Sequence, residues 1–373
     1  MYMNKLPILV ISLLALACNN VGHKDPLRVS MPLDKQSTYV NIEEIISDIE
    51  ILPLTYPESV LLSDDNMVKF NNNVILIIDR LHSSSIHIFN KDGSYRATIA
   101  ANGRGPGEYL DIASIQLLDN EIMVYSHLRQ SVFFYDYDGK FVTQKELSHT
   151  PYNIYKTADG WWGYMGYGNG QMKERIVRMN ADGEIIEKLH PTDANILSMM
   201  EIEDVFVPSE NGLLLRETFS NEIYAFTHSG AKQIANFDFG KYSIPTNYYT
   251  QSSPMEAAEA LLESDFATIN QLFANKSTIA IYIECNTNSN PDNKFDSFAF
   301  CHENRWKNIK ISRNDNLFYK TIKNLTEDDE LVLLVEEGHI NEFTEKFPQL
   351  TNFDKSELSN RDKHHIVLCK LKH

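Results

Sequence analysis

Three stretches of the chain carry residue types that could do chemistry. The first is Gly103-Arg104-Gly105-Pro106-Gly107-Glu108-Tyr109, with three glycines in five residues. Glycines let a backbone approach a ligand closely, and Arg104 is the group that could hold a carboxylate or phosphate through two parallel hydrogen bonds. The stretch has neither the lysine nor the following helix of a nucleotide-binding P-loop. Its plainer use is to carry the chain tightly between two elements, with Arg104 and Glu108 paired to neighbouring groups. The second stretch is Trp161-Trp162-Gly163-Tyr164-Met165-Gly166-Tyr167-Gly168-Asn169-Gly170. On a strand, Trp161, Gly163, Met165 and Tyr167 face one way, and Trp162, Tyr164, Gly166 and Gly168 the other. Aromatic rings beside glycines offer flat faces for stacking on a sugar or a peptide side chain, yet the same rings serve to pack one sheet on the next. Packing is expected for at least one tryptophan. The candidate ligand-binding residues are therefore Arg104, Glu108, Tyr109, Trp161, Trp162, Tyr164 and Tyr167.

The third stretch is the N-terminus. Lys5 precedes an apolar run, Leu6 to Ala17, which ends L-L-A-L-A-C at Cys18 before the composition turns polar. About a dozen residues are too few for a spanning helix of about 20, so this reads as a signal peptide cut immediately before Cys18. It resembles the bacterial lipoprotein signal, which implies a lipid attached at Cys18, with Ala15 standing where leucine is commonest. Residues 1–18 are then the leader, and 19 to about 37 a flexible tether. The three remaining cysteines are odd in number and cannot all pair within one chain. Cys285 and Cys301 lie on two arms of one hairpin, with the residue opposite Cys285 expected near Phe295 or Asp296, so buried thiols are the reading.

No catalytic motif stands out. There is no G-x-S-x-G elbow, no H-E-x-x-H and no paired C-x-x-C, although His364 and His365 are adjacent. Choosing a catalytic pair from 51 Asp and Glu would be arbitrary, and no catalytic or metal-ligating residue is assigned. The net charge of −17 opposes nucleic-acid binding, which needs clustered Lys and Arg.

The elements that must position these groups repeat. Ile86 to Ile99 reads as a hairpin, with Asp92-Gly93 as a two-residue turn, and the pattern returns at Val132 to Leu147, Ile176 to Leu189 and Ile223 to Phe237. The turn glycines Gly93, Gly139, Gly183 and Gly230 are spaced 46, 44 and 47 residues apart. A repeat of about 40 to 50 residues built of strands and turns marks a β-propeller blade. The expected fold is all-β, a six-bladed β-propeller over 38–373. Val74 to Asp79 is expected as a wholly buried inner strand, and the strand Ile49 to Leu54 as closing the ring against His365 to Leu371. Helical insertions are expected in the C-terminal third: one of about 20 residues over 253–274, opened by the capping box Ser253-Pro254-Met255-Glu256, and a second over about 339–360.

S-D-I-E-I-L-P-L at Ser47 to Leu54, the Gly103 to Tyr109 loop, Y-S-I-P at Tyr242 to Pro245 and the final I-V-L-C-K-L-K together resemble the six-bladed β-propeller lipoproteins of Bacteroidetes, a domain-of-unknown-function group loosely similar to NHL-repeat proteins. The resemblance implies an extracytoplasmic, outer-membrane lipoprotein and no established activity. The expected function is a binding module for a glycan, a peptide or another envelope protein. The rival is a hydrolase or lyase of lactonase type with a divalent metal at a channel mouth; no cofactor is assigned, calcium being the candidate to test. Such a site takes one residue per blade and is invisible to local motifs. Three or more inward-facing carboxylates, Asn or His converging near one mouth of the channel would favour the enzyme.

Overall fold

The repeated hairpins form the outer halves of radial sheets. The computed structural model describes residues 27–166, 173–191, 204–251, 253–289, 294–303, 305–350 and 363–372. Ahead of the first blade come β1 (Leu27–Ser30), α1 (Ile42–Ile45) and β2 (Ile46–Pro53). Blade one is β3 (Met67–Phe70), β4 (Val74–Asp79), β5 (Ser85–Asn90) and β6 (Tyr95–Ile99); blade two is β7 (Ser114–Leu117), β8 (Glu121–Ser126), β9 (Ser131–Asp136) and β10 (Phe141–Glu146). Blade three is β11 (Asn153–Thr157), β12 (Gly160–Tyr164), β13 (Glu174–Met179) and β14 (Ile185–Pro191); blade four is β15 (Phe206–Ser209), β16 (Gly212–Leu215), β17 (Glu222–Thr227) and β18 (Gly230–Asp238). After α2 (Pro254–Leu262) comes blade five, with β19 (Phe266–Ala274), β20 (Thr278–Asn286), β21 (Phe295–His302) and β22 (Arg305–Ser312). Blade six holds β23 (Ile322–Leu325) and β24 (Glu330–Glu336), then α3 (Glu337–Lys346), then β25 (His364–Leu371) with β2 outermost. The chain is a six-bladed β-propeller.

Its core is distributed between blades. The Ile88, Tyr109, Ile122 and Phe133 cluster fills the seam between blades one and two, Met123, Trp161 and Val177 the next, and Trp162, Leu215 and Phe226 the one after. Leu214, Ile281 and Phe237 join blades four and five; Phe298, Leu333 and Val367 join five and six; Val68, Ile77 and Leu334 join six and one. Each sheet is thus covered on both faces, so a strand such as β4 is buried along its whole length.

The ring closes as the sequence implies: β2 pairs antiparallel with β25, Ile49 opposite Cys369 and Ile51 opposite Val367. Closure satisfies what would otherwise be two open sheet edges. In three of the four repeated hairpins the turn is longer than expected. Asn90, Asp136 and Asn180 each accept the turn glycine's N–H and donate to the carbonyl one residue beyond it, a type I turn followed by a left-handed residue. Only the fourth, with Thr227 opposite Gly230, has a two-residue loop.

Four other expectations need correction. Helix α2 ends at Leu262, and residues 266–274 form a strand. The helix-like spacing of Ile269 and Leu272 comes from a bulge between Ile269 and Gln271, which turns a two-residue alternation into a step of three. The stretch read as a tether packs from Leu27 onward: β1 adds a parallel fifth strand to blade four, and Met31 and Leu33 are buried. The second helix, α3, begins at Glu337; the last part of that insertion, 351–362, lies outside the described residues. Strand β4, though fully buried, is second from the axis, with β3 innermost. Glu284 pairs with Asp296, putting Cys285 beside Phe295, while Cys301 faces Ile279. Cys285, Cys301 and Cys369 are all free thiols.

Candidate functional site

The six innermost strands enclose an axial channel of about 270 Å³. An innermost strand has one unpaired edge, so its backbone groups need partners from elsewhere. Side chains supply them across the seams. Gln116 accepts from Lys156 N at 2.9 Å and donates to Lys156 O at 3.2 Å, while Asn324 donates to Val68 O at 3.0 Å. Ser114 accepts from Ile154 N at 2.9 Å and donates to Asn153 Oδ1 at 3.1 Å. Gln271, the residue just past the bulge in β19, lines the channel with its carbonyl oxygen buried and without a hydrogen-bond partner.

Strand alternation places two kinds of segment at one end of the ring: the approach to each inner strand, and the turn between second and third strands of each blade. Asp204, on the approach to β15, meets Lys69 of β3, from the opposite blade, and Arg80 at 3.2 Å. The ion pair therefore spans the channel. Arg80 is 6% exposed and Asp204 26%, so these charges are largely withdrawn from water. Burial raises the Asp204 carboxyl, but Lys69 and Arg80 together outweigh it and hold the group below its ordinary value. Arg216, itself fully buried, steadies this corner: it donates to Ile269 O at 3.3 Å and to Asp204 O at 3.4 Å.

A second polar cluster lies between blades three and four. Arg175 donates to Glu217 at 2.7 Å and to His190 Nε2. Burial, and then the Arg175 guanidinium, push His190 down to about 3, so it is neutral and presents Nε2 as an acceptor.

The sequence candidates sit elsewhere. In the Gly103 to Tyr109 loop, Glu108 folds back to accept from Gly105 N at 2.6 Å, and its carboxylate occupies the space a side chain on Gly103 would need. Arg129 clamps the loop by donating to Gly103 O at 3.2 Å and Glu108 O at 2.8 Å. Tyr109 is buried between blades one and two and donates to Ser84 O at 2.8 Å. Arg104 is exposed and pairs with nothing among the described residues. Trp161 packs in the seam of blades two and three, and Trp162 and Tyr164 in that of blades three and four, all three buried. Tyr167 lies outside the described residues. The structure brings none of the six described candidates into the channel lining. The groups that do line it, Lys69, Asp204 and Gln271 among them, come from separate blades, and no sequence motif joins them. The one signal available was position, since each falls on or just ahead of an inner strand.

A family model described as a domain of unknown function, DUF4934, matches residues 28–370. The chain belongs to the DUF4934 family. Among solved structures, the DUF4934 chain is similar to a proposed exported protein (BF0058) of Bacteroides fragilis NCTC 9343, at TM-score 0.73 and 17% identity over 93% of this chain and 99% of that one. It is also similar to a member of the DUF4221 family from Bacteroides vulgatus, at TM-score 0.54 and 11% identity over 87% and 99%. These likenesses concern the fold. No curated protein matches the chain.

Proposed function

We propose that this protein is a lipid-anchored module of the cell envelope that binds a polypeptide partner at the end of the propeller where the inner strands begin, and does not turn it over. The observation that carries the reading is the placement of exposed apolar side chains. Of nine large hydrophobics exposed among the described residues, Leu61, Leu81, Leu128, Tyr249, Met255 and Leu262 lie in the connections at this one end, the last two on α2. Leu61 is 80% and Met255 70% exposed. Apolar groups gathered on one face favour a protein contact over a sugar, which would ask for hydroxyl-pairing groups around a ring-stacking surface.

The channel lining argues against a hydrolase that works through a pair of carboxylates. Of its two lining carboxylates, Asp204 precedes its inner strand and Glu327 follows one, so they stand at opposite ends, and Asp204 is already neutralised by Lys69 and Arg80. The carboxyl pair of a glycoside hydrolase stands within about 5–10 Å, a spacing these two do not offer. A lipid on Cys18 and an outer-membrane address are part of the proposal; the leader-like run before Cys18 and the exported description of the Bacteroides fragilis relative support it. The test is photo-crosslinking in cells from an unnatural residue placed at Leu128 or Met255, with Ile186 on the outer strand of blade three as control. A discrete protein adduct from the first two sites alone is expected; equal labelling from Ile186, or no adduct, overturns the reading. Replacing Cys18 by Ala should abolish incorporation of labelled palmitate.

A further inference from the structure

Where blade six meets blade one, three donors from separate parts of the chain converge. Asp64 lies on the approach to β3, Glu336 ends β24, and His364 begins β25, after the insertion that contains α3. Their ligand atoms all lie within 4.8 Å of one another, with His364 Nε2 and Asp64 Oδ1 at 4.0 Å. The His364 side chain is 7% exposed, yet Nε2 makes no hydrogen bond, and neither does the buried Asp64 Oδ1. A buried nitrogen aimed at two carboxylates and bonded to nothing costs about 1–3 kcal/mol, unless something else occupies the space between. The other ring nitrogen, Nδ1, is 3.3 Å from the Tyr56 hydroxyl, which also accepts from His364 N at 3.1 Å. With Nδ1–H donating to Tyr56, the Nε2 lone pair points at the carboxylates, the outer-shell arrangement that holds metal-bound histidines in place.

We propose that Asp64, Glu336 and His364 form a binding site for a first-row divalent transition metal, with zinc the fitting class. One imidazole nitrogen and two carboxylates suit zinc better than calcium, which takes six to eight oxygens. Three protein donors leave a fourth position for water or an anionic ligand. Bonds of about 2.0–2.2 Å require the donors to close in by about an ångström; Glu336 is exposed and Asp64 is 43% exposed, so both can move while His364 stays fixed. One group opposes the ion: the Lys323 ammonium donates to the Asp64 carbonyl, setting a positive charge beside the site. The net charge of −17 works the other way, concentrating cations at the surface. The site is independent of the polypeptide-binding reading, and either can fail alone.

The experiment titrates the untagged, full mature protein with ZnCl₂ against a chromophoric chelator, with MnCl₂ and CaCl₂ in parallel. One zinc per chain is expected, bound at least 10-fold more tightly than calcium. Glu336→Gln and Asp64→Asn, near-isosteric changes at an exposed and a partly exposed side chain, should each weaken zinc by about 10- to 100-fold. His364→Gln should abolish binding, and Lys323→Met should tighten it. Cobalt(II) in place of zinc should give a d–d spectrum that Glu336→Gln alters. No stoichiometric binding, a preference for calcium, or affinity unchanged in Glu336→Gln and Asp64→Asn overturns the proposal.

Discussion

The ion pair across the channel gives a quantitative test of how the ring is held. Unit charges 3.2 Å apart, the Arg80–Asp204 separation, attract by about 5 kcal/mol at an effective dielectric of about 20. Withdrawing the same groups from water returns most of that. What remains on removing one partner is chiefly the cost of leaving Lys69 and Arg80 facing a neutral group. Asp204→Asn is therefore expected to destabilise the protein by about 2 kcal/mol, lowering the melting temperature by about 3 °C. Lys69→Met alone should cost about 1 kcal/mol, since Arg80 still answers the carboxylate. The double variant should lose about 2 rather than 3 kcal/mol, a coupling of about 1 kcal/mol, read from urea denaturation followed by circular dichroism. The pH dependence has a definite sign. The folded carboxyl is held below its ordinary value, so the advantage of wild type over Asp204→Asn is full above the unfolded pKa of about 3.9 and is lost as pH falls through the folded one. Additive losses, or a neutral Asp204→Asn, would refute the claim that opposite blades are tied through the channel.

Two further outcomes follow from the seams. Gly93 has φ +80°, and a Cβ there would stand 2.2 Å from Pro53 O on the neighbouring blade; Gly93→Ala should cost about 3 kcal/mol through strain and collision, whereas Gly338→Ala in α3, with open space around it, should change stability by less than about 1 kcal/mol. His190, pushed down to about 3 by burial and Arg175, stays neutral in the fold while an unfolded histidine takes a proton near 6.5. Its contribution should be fully present above pH 6.5 and fall between pH 6.5 and 3, with the His190 ring resonance in NMR showing no titration above pH 4; a midpoint near 6 would contradict the buried Arg175–His190 contact.

The sequence by itself determined the fold. Turn glycines at a near-constant interval, apolar alternation around them and matching apolar strands at both ends suffice to specify blades and a closed ring, because hairpin periodicity and turn chemistry are local properties of the chain. It misread Phe266 to Ala274 as helix, because a single bulge imitates helical spacing; only pairing with β20 decides the matter. It also singled out residues by unusual composition, and Trp161, Trp162 and Tyr109 were spent on the seams between blades. Asp204 with Lys69, and Asp64 with Glu336 and His364, were not legible at all. Each partner comes from a different blade or a different strand of the seam, and their meeting is set by the circumference of the ring, which exists only once all six sheets have packed.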